Sequence, residues 1–144
     1  MGAKENEALI RRIYEEYNKV NYDIYDECYS DDFISIRHDG AKLNKDEYRQ
    51  FYQNILNLFP DIQRNIKDLI VTDDRAAMYY TWTATVQPNE QVRIPSSKVI
   101  EVKEMYFMTF DKDGKISEYR QYGDTHSMRY QLGMLVDADN SGSQ

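Results

Sequence analysis

The chain has 144 residues, 41% hydrophobic and 30% charged, which fits one domain burying about two thirds of its surface and leaves no room for a second. Its 18 Lys and Arg stand against 25 Asp and Glu, for a net charge of −7, which argues against affinity carried by phosphate-neutralising cations, and neither nucleic acid nor an anionic membrane surface is an expected partner. The thirteen tyrosines are the compositional oddity: each brings an apolar body with a polar tip, which suits a wet pocket or an interface as well as a core.

A lone Cys28 cannot form an internal disulfide, and the chain reads as cytoplasmic, with Cys28 a small buried hydrophobe. The first apolar run, Ala8 to Ile10, is stopped by Arg11 and Arg12, too early for a leader or a membrane span. His38 and His126 are the only histidines, so no metal site and no cofactor is expected. Asp137 to Gly142 copies the first half of a calcium loop without its closing Glu. The expected layout is therefore a domain over 1–136 and a flexible polar tail over 137–144.

Ile10, Ile13, Tyr17 and Val20 recur at spacings of three and four, which predicts an amphipathic helix over residues 6–21. A short helix over 23–29 follows, then a strand over 33–38 ended by Asp39-Gly40. Asn44 with Glu47 three residues on forms a capping box, and the helix it opens carries Tyr48, Phe51, Tyr52 and Ile55 on one face until Pro60 stops it. Beyond Pro60 the pattern turns to strands, over 62–71, 75–86, 98–110 and 115–122, joined by turns at Asp73-Asp74 and Asp111 to Gly114. Met128, Leu132 and Leu135 suggest a short closing helix. Helices first and strands after define an α+β domain.

In the strand over 75–86, Ala76, Met78, Tyr80, Trp82 and Ala84 share the face expected to meet the helices. The strand over 98–110 is apolar on both faces, with Val99, Met105 and Phe107 opposing Ile100, Val102, Tyr106 and Met108. An apolar second face calls for a cover, and a homodimer is expected.

Several words of the sequence, in order, resemble the SnoaL-like polyketide cyclase family of the nuclear transport factor 2-like superfamily. They are Phe59-Pro60-Asp61, Asp74-Arg75 before an alternating strand, Asp113-Gly114-Lys115-Ile116-Ser117-Glu118, Asp124 six residues after that Glu, and Gln131-Leu132-Gly133. The resemblance spans roughly residues 8–135. It implies a cone-shaped barrel, a strongly curved, mostly antiparallel sheet wrapped around the N-terminal helices with a ligand pocket at its open end. It also implies that Asp124 is the general acid/base of a cofactor-independent cyclase, isomerase or hydrolase acting on a small apolar carbonyl ligand. The alternative is a non-catalytic ligand-binding or dimerisation module on the same cone.

Ring closure of the aldol type removes a proton from carbon and delivers one to an alkoxide, and one carboxyl can serve both steps. Asp124 also stands just before Thr125-His126-Ser127, where Asp is a favoured N-cap. His38 ends the first strand and is the second catalytic candidate, with a turn-bonding role as its alternative. Tyr14, Tyr17, Tyr80, Trp82, Tyr106 and Tyr122 are candidates for the pocket wall. Arg120 is a candidate for binding substrate or for pairing with Glu118. Glu104 interrupts an apolar strand face, as either a second pocket carboxylate or an interface charge. At four positions this sequence departs from the family's pattern, with Arg120 and Gly123 in place of aromatics and Met105 and Phe107 in place of polar helpers.

Overall fold

The computed structural model describes residues 2–90 and 93–133; Leu135 and the 137–144 tail lie outside them. Helix α1 (Ala3–Asn18) buries Ile10, Ile13 and Tyr17 of the stripe read from the sequence, together with Tyr14. It is tied to the sheet at both ends. The Asn6 amide donates to the carbonyls of Thr72 and Asp73 at 3.0 and 2.9 Å. The Asn18 side chain accepts from the Arg64 N–H and donates to the Arg64 carbonyl, each at 2.9 Å.

Val20 corrects the expected stripe: it stands outside the helix, half exposed, with φ +63°. The bonds Val20 N–H to Tyr17 O and Asn21 N–H to Glu16 O close a Schellman motif, which turns the chain before Val20 can reach the core.

After α2 (Ile24–Cys28) comes β1 (Tyr29–Ile36), which starts four residues before the expected strand. Tyr29 pairs with Ile116 and the register then shifts before Ile34 pairs with Glu118, so the first residues carry no clean period-2 signal. Strand β2 (Lys42–Asn44) was not anticipated; at three residues it is too short to show a pattern. Its last residue, Asn44, is also the N-cap of α3 (Lys45–Leu58). Asn44 Oδ1 accepts from the Glu47 N–H at 2.9 Å, and Glu47 Oε1 accepts from the Asn44 N–H at 3.1 Å, the reciprocal box the sequence predicted.

Strands β3 (Gln63–Val71), β4 (Arg75–Val86), β5 (Lys98–Phe110) and β6 (Ile116–Gly123) follow as expected, before α4 (Thr125–Gln131). The six strands form one curved, unclosed sheet in the order β2-β1-β6-β5-β4-β3, antiparallel except for the β1–β6 pair. At the β5–β6 hairpin Gly114 takes φ +76°, which a side chain would resist, and Asp111 Oδ1 accepts from the N–H groups of Asp113 and Lys115.

The tyrosines fill the space between helices and sheet. Buried hydroxyls need partners, and Tyr14 with Tyr119, and Tyr17 with Tyr29, supply them to each other at 2.8 Å. The inner faces of β4 and β5 carry Tyr80, Trp82, Val102, Glu104 and Tyr106, and this is where the cone stays open.

Candidate functional site

A cavity of about 130 Å³ opens between α3, α4 and the inner face of β3 to β6. Tyr80, Trp82 and Tyr106 form one wall, Tyr52 and Ile55 of α3 face it, and Met128 and Thr125 of α4 border it. Glu104 is the one acidic residue on its lining among the described residues.

Strand register brings four donors onto the Glu104 carboxylate. Tyr80 lies directly across the β4–β5 ladder from Glu104, and Trp82 is two residues on along the same inward face. Oε2 accepts from the Tyr80 hydroxyl at 2.7 Å, the Tyr106 hydroxyl at 3.1 Å and the Gln121 amide at 3.2 Å. Among the described residues Oε1 accepts only from Trp82 Nε1, at 3.1 Å. A carboxylate offers about four acceptor sites, two per oxygen, so Oε1 keeps room for one further donor. Burial, and after it the Glu104 charge, pushes the Tyr80 and Tyr106 phenols well above the ordinary tyrosine range, so both stay donors at neutral pH.

Opposite this group, Arg64 projects from β3. It is 3% exposed, its guanidinium lies 5.4 and 5.2 Å from the ring centres of Tyr17 and Tyr52, and Nη1 and Nη2 have no well-aligned hydrogen-bond partner among the described residues. Tyr52 is raised by burial, with the Arg64 charge opposing, and its hydroxyl stands 3.5 Å from that of Tyr106. At the mouth, Arg37 lies over the Phe51 ring at 4.5 Å, and His38 Nε2 is 3.3 Å from Thr125 Oγ1.

The expected site residues separate into three groups. Tyr80, Trp82, Tyr106 and His38 come together on the cavity. Tyr14 and Tyr17 are buried beside it, their hydroxyls spent on Tyr119 and Tyr29, and are not on its lining. Arg120 and Tyr122 point to the outer face of the sheet, where Arg120 meets Glu118 at 3.4 Å and Tyr122 is 58% exposed. The parity that joins Glu118, Arg120 and Tyr122 holds; the inward members of β6 are Tyr119 and Gln121. Asp124 is exposed, off the cavity lining, and its Oδ1 accepts from the Ser127 N–H at 2.9 Å as the N-cap of α4.

Sequence reasoning missed Arg64, Tyr52 and Gln121 as lining residues. A signal existed for Arg64, which falls between Ile62 and Ile66 on the inward parity of its strand, a position where a cation is unusual. Among the described residues there is no cluster of three or more side chains that could hold a metal ion, and no helix long and apolar enough to cross a membrane.

A family model described as SnoaL-like polyketide cyclase matches residues 8–132. Among solved structures, AclR from Streptomyces galilaeus, named a candidate hydroxylase, superposes with a TM-score of 0.82 at 23% identity, covering 94% of this chain and 89% of its own. A candidate SnoaL-like polyketide cyclase from Jannaschia sp. CCS1 gives 0.80 at 19% identity over 93% and 95% of the two chains. IdmH, a candidate polyketide cyclase from Streptomyces antibioticus, gives 0.76 at 19% identity over 89% and 98%. Similarity at this level establishes the shared fold. No curated protein matches significantly.

Proposed function

The chain belongs to the SnoaL-like polyketide cyclase family, and from that premise we propose that it is an acid/base enzyme acting on a small carbonyl compound, with Glu104 as the proton-transferring group. The observation that carries this reading is the asymmetric Glu104 carboxylate: among the described residues Oε2 is held by three donors and Oε1 by Trp82 alone, on the wall of an apolar cavity. Oε1 takes a proton from the carbon next to the ligand carbonyl, and the same proton returns to the oxygen or carbon that next bears the charge. Tyr80 and Tyr106 keep the carboxyl in one orientation through both steps, while the rings of Trp82 and Tyr52 bracket the ligand. Proton transfer of this kind uses only the chain's own groups. Asp124 serves in this reading as the cap that starts α4, and His38 as a polar group at the entrance.

Loss of the methyl protons of acetophenone in D₂O, followed by NMR, tests the proposal without knowledge of the natural substrate. The protein raises the exchange rate above buffer, and Glu104→Gln removes the excess. An unchanged excess in Glu104→Gln would remove Glu104 from the mechanism.

The outer face of the sheet supports a homodimer. Met105 and Tyr122 are cross-strand partners, 51% and 58% exposed, and Phe107, 54% exposed, lies two residues along, so the three form an exposed apolar patch on β5 and β6. A second copy is the proposed cover. Sedimentation of wild type as a dimer and of Phe107→Glu as a monomer is the expected result; a monomeric wild type contradicts it. A cytoplasmic location remains part of the proposal, supported by the single, buried Cys28.

A further inference from the structure

Arg64 sits in the cavity wall with its charge uncompensated. It is 3% exposed, and among the described residues neither Nη atom makes a well-aligned hydrogen bond, the Tyr22 hydroxyl beside it being a neutral neighbour, and no carboxylate lies within ion-pair distance of it. An arginine side chain cannot shed its proton inside a protein. Burying such a cation without a counter-charge is costly, and the two tyrosine faces beside it offset only part of that cost. A guanidinium also carries a planar fork of N–H donors that matches a carboxylate in geometry as well as charge.

Strand register fixes where Arg64 stands relative to Glu104. Arg64 pairs with Trp82 across β3–β4, and Glu104 pairs with Tyr80 across β4–β5, so the two residues occupy strands on either side of β4. Two strand spacings across and the two-residue offset from Tyr80 to Trp82 along the strand separate their backbones by roughly 12 Å. Both side chains point inward from that separation, one bearing an unpaired cation and the other a carboxylate with a free acceptor site. The cavity is polarised from β3 to β5, and its occupant should be polarised in the opposite sense.

We infer that the ligand is a small organic acid, a keto acid in the context of the chemistry proposed above, whose carboxylate pairs with Arg64 while its acidic C–H faces Glu104. The inference rests on the Glu104 reading for the second end of the ligand only; the carboxylate end stands on Arg64 alone. The overall charge of −7 does not oppose it, because the local field is set by the guanidinium a few ångströms away and not by screened surface carboxylates. The Tyr52 ring lies over the guanidinium, so the carboxylate enters with that ring turned aside.

Binding of benzoate and of its neutral isostere benzamide, measured by NMR titration on the full chain, tests this directly. The wild-type protein should prefer benzoate at least about tenfold, a margin that one charge-assisted pair readily supplies. Arg64→Met should abolish the preference, and Arg64→Lys, which keeps the charge but loses the fork, should keep part of it. Equal affinities in wild type, no benzoate binding at millimolar concentration, or a preference that persists in Arg64→Met would each overturn the inference. The comparison in wild type stands even if a variant fails to fold. Because acetophenone is neutral, its exchange assay reports on Glu104 independently, and failure of one test leaves the other readable.

Discussion

Gly123 lies directly across the β5–β6 ladder from Glu104, and a Cβ at position 123 would stand 3.1 Å from Glu104 Cγ. The missing side chain is what lets the Glu104 stem lie flat against β6 and turn its carboxylate toward Tyr80, Trp82 and Gln121. Gly123→Ala forces the stem to yield by a few tenths of an ångström, an overpacking that costs about 1–3 kcal/mol. The expected outcome is a folded protein with a lowered melting temperature and weakened acetophenone exchange. Unchanged exchange in Gly123→Ala would show that the position of Glu104 is not set from β6.

Tyr80 and Tyr106 both donate to Oε2 of Glu104, and their own hydroxyls are 3.3 Å apart. Hydrogen bonds to a charged group contribute about 1.5–3 kcal/mol, and donors sharing one acceptor are coupled. Tyr80→Phe and Tyr106→Phe should each reduce stability, and the double variant should lose measurably more or less than the sum. Strict additivity in chemical denaturation would argue that the two do not share Glu104.

Asp124 caps α4 through the Ser127 N–H. Replacing a capping Asp by Ala costs about 1 kcal/mol, whereas Asn caps nearly as well. Asp124→Ala should lower the melting temperature and Asp124→Asn should leave it near wild type. Equal loss in both variants would show that the charge, not the cap, matters there.

Val20 holds φ +63° at the C′ position of α1 and is half exposed. A β-branched residue in that conformation costs about 1–2 kcal/mol that glycine does not. Val20→Gly is therefore expected to stabilise the fold by roughly 1 kcal/mol, read as a raised denaturation midpoint. A lower midpoint would mean that the exposed isopropyl group packs against something in solution.

Nine of the thirteen tyrosines are buried with phenols raised above their ordinary value, with burial the largest cause in each. Cys28 is likewise pushed up to about 11 by burial. Groups raised on folding contribute stability that is complete below their unfolded values and is lost as pH rises past them. For each tyrosine that loss is about 1.4 kcal/mol per pH unit above roughly pH 10. Alkaline unfolding should be steep, and the tyrosinate absorbance should rise in step with loss of structure. Gradual ionisation of most tyrosines with the fold intact would contradict this.

Much of the fold was legible in the sequence because its signals are local and periodic. The stripe through Ile10, Ile13 and Tyr17, the Asn44–Glu47 box, and the Asp111 to Gly114 turn each need only a few adjacent residues. What was not legible depends on irregularities and on partners far along the chain. The register shift in β1 hides Tyr29 from a period-2 reading, and the Schellman turn removes Val20 from a helix its spacing would extend. Tyr80, Trp82 and Tyr106 could be placed on the inward face by parity. Parity alone could not show which face of β6 turns inward, so Arg120 and Tyr122 were expected where Gln121 stands. The four donors on Glu104 converge from three strands, and no spacing within one strand predicts that.

In the proposed mechanism the carboxylate on the cavity wall, and not the one capping α4, moves the proton. Acetophenone exchange measured side by side for wild type, Glu104→Gln and Asp124→Asn decides it most directly. Buffer-level exchange for Glu104→Gln and wild-type exchange for Asp124→Asn are the expected results. Wild-type exchange in Glu104→Gln with loss in Asp124→Asn would contradict the mechanism.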